Sequence, residues 1–117
     1  MKRWPALFLP VALIIAQASA ATEQVEREIQ YLLDFVASSN CTFVRNGDNH
    51  DAADAADHLR LKYNNGKRYV DTAEDFIDRL ASESSWTGRD YNVDCQGEVL
   101  NTGPWLHQAL QDYREAP

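Results

Sequence analysis

The sequence predicts a small single α+β domain of about four helices with a short two-stranded antiparallel sheet and one disulfide, behind a cleavable export signal. Three observations predict it. Apolar residues return at helical spacing in four separate segments. Two short alternating stretches each carry one of the two cysteines. Losing the first 20 of 117 residues leaves 97, enough for one modest core and too few for two.

Residues 1–20 read as a signal peptide. Lys2 and Arg3 form its charged start, Leu7 to Ala16 an apolar run broken only by Pro10, and Ala18-Ser19-Ala20 the small-residue pattern that signal peptidase admits. Cleavage is expected after Ala20, leaving 21–117 as the domain. The apolar run is well short of the roughly 20 residues a helix needs to cross a bilayer, so no stable membrane anchor is expected after cleavage. All 18 acidic residues lie beyond Ala20, whereas two of the 11 basic ones lie before it, so cleavage moves the formal net charge from −7 to −9. Such a chain repels phosphate backbones and carries no basic stripe, which argues against nucleic acid as a partner. Outside the reducing cytosol, in the periplasm or secreted, Cys41 and Cys95 are expected to pair. At a sequence separation of 54, chain entropy gives such a bridge on the order of 4 kcal/mol.

From Thr22 to Ser39, Val25, Ile29, Leu32, Leu33 and Val36 form the inner stripe of a first helix, leaving Glu23, Glu26, Arg27, Glu28 and Gln30 for solvent. Cys41 to Arg45 is β-branched and aromatic and reads as a strand closed by the turn Asn46-Gly47. A second helix is expected from Asn49–Asp51 to Tyr63, with Ala52, Ala56, Leu59 and Tyr63 inward and Asn64-Asn65-Gly66 as its stop. Asp71 or Thr72 can cap a third helix, with Glu74 or Asp75 answering from its first turn; Phe76, Ile77, Leu80 and Ala81 are its buried side and Ser84-Ser85 its end. Tyr91 to Cys95 alternates as the second strand. After Gln96-Gly97, Thr102 is expected to cap the last helix, with Pro104 in its first turn and Trp105, Leu106, Ala109, Leu110 and Tyr113 facing inward.

His50, Asp54 and His58 are spaced i, i+4, i+8, and on a helix that begins early enough they would offer two imidazoles and a carboxylate to a metal such as zinc, the ligand set of a small metal-assisted hydrolase. The same stretch has a plainer reading. Asp48, Asp51, Asp54 and Asp57 fill the first half of this segment and Arg60 and Lys62 the second, the distribution the helix dipole favours without any ligand. No serine sits in a G-x-S-x-G elbow, and phosphate-loop, dinucleotide and paired C-x-x-C motifs are missing from the sequence, so no cofactor and no catalytic residue is expected. Trp86, Tyr91 and Trp105 stand near Arg45, Asn46 and Arg89, a mixture suited either to recognition or to filling the core.

Cys41-Thr-Phe-Val-Arg-Asn-Gly47, Ala55-Ala-Asp-His-Leu-Arg-Leu-Lys62, Thr72-Ala-Glu-Asp-Phe-Ile77, Ser84-Ser-Trp-Thr-Gly88, Tyr91, Cys95, Trp105-Leu106 and Tyr113-Arg114 resemble the YfeK-like family of small exported bacterial proteins. The resemblance spans nearly all of the chain after Ala20. It implies a periplasmic or secreted single domain and transfers no ligand or catalytic residue. The expected function is a non-enzymatic binding or accessory module of the cell envelope, its partner a protein or an envelope ligand. Arg45, Asn46, His58, Arg60, Lys62 and Trp86 are the candidate binding residues.

Overall fold

The computed structural model describes the backbone from residue 9 and the side chains from residue 22. The start of the expected export signal, Lys2 and Arg3 included, lies outside the described residues, as do the side chains of Ala18 and Ala20. Helix α1 (Leu9–Ser38) is followed by strands β1 (Thr42–Arg45) and β2 (Asp48–His50), helix α2 (Ala52–Gly66), a 3-10 turn (Lys67–Tyr69), the short helix α3 (Ala73–Phe76), a π-helical turn (Ile77–Ala81), strands β3 (Asn92–Cys95) and β4 (Glu98–Asn101), and helix α4 (Thr102–Glu115).

The sheet has four antiparallel strands in the order β2-β1-β3-β4, not the two expected. The two strands foreseen are its centre, and each is extended outward by a two-residue hairpin. At Asn46-Gly47 and again at Gln96-Gly97 both turn residues take positive φ, 52° and 86° in the first, 55° and 91° in the second. That backbone matches the twist of paired strands and folds the chain straight back. Arg45 therefore pairs with Asp48, and Cys95 with Glu98. Asn49 and His50, expected at the start of the second helix, are consumed by β2, and α2 begins only after Asp51, whose carboxylate accepts from Asp54 N at 2.8 Å.

β1 and β3 pair Phe43 with Val93, both buried, and Thr42 with Asp94, so Cys41 stands across from Cys95. The disulfide joins them over a Cα–Cα distance of 4.6 Å. Over the sheet, α1 presents Ile29, Leu32, Leu33 and Val36, each fully buried, and α2 packs its Ala52, Ala55, Ala56, Leu59 and Tyr63 into the same core. The alanine stripe keeps these helices close, as its small side chains require. An aromatic row runs along the outside: Tyr113 on Tyr31, Phe35 on Trp105, and Trp105 on Phe43 at centroid distances of 4.3, 4.8 and 5.7 Å. Trp105 thus fills the core rim and stands apart from Trp86.

Three further expectations are corrected. The third helix is only Ala73–Phe76 before the π turn takes over; Thr72 Oγ1 caps it from Asp75 N, and Asp75 answers to Asp71 N. Thr102 does not cap α4: Asn101 holds that position, and Thr102 is buried, its N–H donating to Tyr91 O and its Oγ1 bonded to none of the described residues. Glu28, read as solvent-facing, is 5 % exposed. Arg114 of α4 grips both of its carboxylate oxygens at 2.8 and 2.9 Å and also reaches Glu74 at 2.6 Å, tying α1, α4 and α3 together. The guanidinium holds the Glu28 and Glu74 carboxyls below their usual range.

Two predictions follow from this packing. A Cβ at Gly103 would sit 2.5 Å from Ser82 Oγ, which is itself held by Ile77 O at 2.7 Å, so Gly103→Ala should cost about 1–3 kcal/mol in a urea melt. Arg114→Met leaves a buried carboxylate unpaired and should cost about 2–3 kcal/mol at pH 7, the exposed half of the arginine tempering the loss. Depressed carboxyl pKa values stabilise the fold above their unfolded values near 4.5 and lose that stabilisation as pH falls, so the variant's stability should also decline less steeply than wild type below pH 4.5.

Candidate functional site

His58, Lys62, Asn65 and Gly66 recur at helical spacing and form the face of α2 turned away from α1. Together with Tyr69 after the helix, Leu80 of the π turn, Arg45 and Asn46 at the first hairpin, Ser84 to Trp86 and Tyr91, they line an open cleft of about 590 Å³. Gly66 lets the π turn close in: a Cβ there would lie 3.2 Å from Leu80 Cδ2.

The loop from Glu83 to Asp90 is the cleft's outer wall, and polar contacts tie it down. Glu83 and Asp90 pair as an isolated bridge, Ser84 N donates to Arg89 O and Gly88 N to Ser84 O, both at 2.9 Å. The buried Ser84 Oγ accepts from the N–H groups of Trp86 and Thr87 and from Asn46 Nδ2. Thr87 Oγ1 in turn donates to Asn46 Oδ1 at 2.7 Å. So Ser84, expected to end a helix, is the hub of a loop, and Asn46 is a strut between the hairpin and that loop. The result is an indole held out on a fixed support: Trp86 is 97 % exposed.

At the cleft floor Lys62 Nζ donates to Tyr91 Oη at 3.0 Å and to Glu83 O at 3.2 Å, while His58 Nε2 lies 3.3 Å from Tyr91 Oη. Burial, reinforced by the charges of Arg45 and Lys62, brings the His58 pKa down to about 4, so the ring is neutral at pH 7. Burial also brings Lys62 down to about 8, with Arg45 adding to the shift. Burial raises Tyr91, which keeps its proton. With a neutral imidazole, Lys62 donating to Tyr91 and Tyr91 to His58 satisfies all three groups.

Of the six candidate binding residues the cleft gathers five: Arg45, Asn46, His58, Lys62 and Trp86. Arg60 points elsewhere, to Asp57 at 3.3 Å and Asp34 at 3.9 Å. The His50, Asp54, His58 arrangement fails because His50 belongs to β2 and not to the helix face that would align it. Among the described residues no three His, Cys, Asp or Glu side chains gather to hold a metal. Nor is any described serine hydrogen-bonded to a histidine: Ser38, Ser39 and Ser82 donate to backbone carbonyls, and His107 pairs with Asp78 at 2.7 Å. Tyr69 was not singled out in the sequence, and Leu80 was read as a buried helix residue and Asn65-Gly66 as a helix stop, none of them as a site residue; the 58, 62, 65, 66 spacing was the signal that could have found the last two.

The Lys62 shift sets a stability signature. A lysine whose folded pKa lies near 8 against 10.5 unfolded releases its proton first in the folded state, so stability rises with pH between those values. Wild type should gain about 1–2 kcal/mol relative to Lys62→Met between pH 8 and 10.5, after discounting for solvent screening, as read by chemical denaturation across that range. Parallel curves for the two proteins would refute the burial argument.

No solved structure matches the chain. It is 44 % identical over 84 residues to the uncharacterized protein YfeK of Salmonella typhimurium, a match covering 69 % of this chain and 70 % of that protein. The profile of a family of unknown function, DUF5329, matches residues 23–114, which takes in α2, the tied loop and every residue of the cleft. The chain belongs to that family of unknown function, DUF5329.

Proposed function

We propose that the chain is an exported, non-enzymatic binding or accessory module of the bacterial envelope, periplasmic or secreted, that takes its ligand in the cleft beside Trp86. One observation carries the reading: a tryptophan 97 % exposed on a loop tied by Ser84, Asn46 and Thr87. A large apolar side chain kept in water on a rigid support is stabilising only when something covers it, and tryptophan is the commonest anchor of such contacts. Export is supported by the signal pattern at residues 1–20 and by a disulfide that reducing cytosol would not maintain. The protonated Tyr91 and the hydrogen-bonded Ser82 and Ser84 offer no activated hydroxyl, which favours binding over hydroxyl-based catalysis.

Two measurements test this. Expressed in a Gram-negative host from the full sequence, the protein should be recovered outside the cytosol beginning at Ala21 with no titratable thiol; a cytosolic chain that keeps Met1 and two reactive thiols would overturn the export reading. A thermal-shift panel of cell-wall fragments, short peptides, sugars and organic anions should give stabilising compounds that are recovered chemically unchanged and whose effect disappears in Trp86→Ala. Turnover of a panel compound, abolished by His58→Ala, would overturn the non-enzymatic reading.

A further inference from the structure

The cleft holds two cations, Arg45 and Lys62, and the lysine is half-buried. Arg114 has two carboxylates, Arg60 has two, and Arg79 has Asp75. Among the described residues neither Arg45 nor Lys62 forms an ion pair, although the chain carries 18 acidic residues against 11 basic. Lys62 is the more telling because it is half-buried, where an unpaired ammonium is costly, and its hydrogen bonds go to a carbonyl and a phenol, not to a carboxylate. Exposed cations elsewhere are fully solvated; this one is only partly so.

Around the two charges the walls are apolar and flat. Trp86 and Tyr69, 97 % and 53 % exposed, and Leu80 line the same cleft, and the buried Tyr91 ring forms part of its floor. At about 590 Å³ the space suits a molecule of one or two rings rather than a polymer. The net negative charge of the protein does not forbid an anion there, since at physiological ionic strength charges more than about 8 Å away are largely screened.

Building on the proposed binding function, we infer that the ligand is a small organic anion, a carboxylate or phosphate on a flat apolar body, with the anionic group on Arg45 and Lys62 and the body against Trp86 and Tyr69. The hydrogen bonds from Lys62 to Tyr91 and from Tyr91 to the neutral His58 then hold the ammonium in place, and Arg45 supplies a planar fork suited to two anion oxygens.

The groups facing Lys62 settle how binding responds to pH. Arg45 from β1 adds a like charge, His58 from α2 is neutral well above pH 4, and Tyr91 keeps its proton through the neutral range; the Glu83 carboxylate lies near enough to favour the ammonium. Lys62, brought down to about 8, therefore loses its charge between pH 7 and 9.5. Losing its proton removes one of the two charges the anion meets.

The test is calorimetric titration of the purified, oxidised chain with 2-naphthoate, 2-naphthyl phosphate and the uncharged 2-naphthylmethanol, the same flat body with and without an anion. At pH 7 at least one anionic probe should bind about tenfold or more tightly than the alcohol, a difference of about 1.4 kcal/mol. Whichever anion binds better names the head group. That advantage should shrink by pH 9.5 in wild type, be small and pH-independent in Lys62→Met, fall further in the Arg45→Met, Lys62→Met double variant, and survive Arg60→Ala. Trp86→Ala should weaken all three probes alike. Equal binding of anion and alcohol, still sensitive to Trp86→Ala, would overturn the anion assignment and leave the cleft a binding site. Binding of no probe at millimolar concentration would overturn the inference outright, and the broader reading would then rest on the envelope-compound panel.

Discussion

The pairing of β1 with β3, locked where Cys41 meets Cys95, is the constraint on which the rest of the structure depends. It joins segments 54 residues apart, and everything between them, α2, α3 and the π turn, is a closed excursion from that joint. Closing so long a loop is entropically unfavourable for a small domain, and the bridge removes much of that cost from the folding step. The functional consequence is local. The strand that follows Cys41 ends at Arg45 and turns at Asn46, and the strand that carries Cys95 is entered through Tyr91 from the Trp86 loop. Fixing the two strands therefore fixes both walls of the cleft against each other, and the Asn46 bonds to Ser84 and Thr87 complete the join on the outer side.

The far end of the helical layer is held by a different device. Arg114 clamps Glu28 and Glu74 with four hydrogen bonds between 2.6 and 3.1 Å, joining the last helix to the first and to the start of α3. A bidentate guanidinium is well suited to this, because its planar fork loses little freedom on docking and each carboxylate retains a satisfied oxygen pair. The disulfide secures the sheet end, the clamp secures the helix ends, and the apolar core between them needs no further polar anchor.

Helix faces were legible in the sequence because a 3.6-residue apolar period is a physical requirement of burial, and Ile29, Leu32, Leu33, Val36, Leu59, Leu106 and Leu110 all lie where that period puts them. The central strands were legible from their alternation, and the disulfide from two cysteines in a chain read as exported. The outer strands were not: Asp48-Asn49-His50 has no β-branched or aromatic residue, and it is a strand only because the Asn46-Gly47 turn delivers it to the edge of β1. Gln96 in a positive-φ turn position hid the second hairpin in the same way, since glutamine seldom signals that backbone. Glu28 was misread because a single acid on a polar-looking face gives no hint of a partner 86 residues away. In the cleft, the helical period separates Lys62 from Arg60 even though both are basic: positions 58 and 62 share a face, and a residue two steps along points to the opposite side, where Asp34 and Asp57 receive it.

Charge placement explains why the cleft is not simply a packing defect. This chain pairs its cations where the fold needs them, at Arg114 and Arg60, and it has acidic residues in excess to do so. Leaving Lys62 half-buried beside Arg45, where burial and then the like charge lower the lysine's proton affinity, lowers stability in the free protein. A leucine or methionine at the same helical position would cover Tyr91 and Leu80 with no such penalty. Strain of this kind persists in a marginally stable domain when the strained groups are used for something the free fold does not show. The half-buried ammonium, the exposed indole and the tied loop all meet in one cleft, and a bound anion would neutralise the first while covering the second.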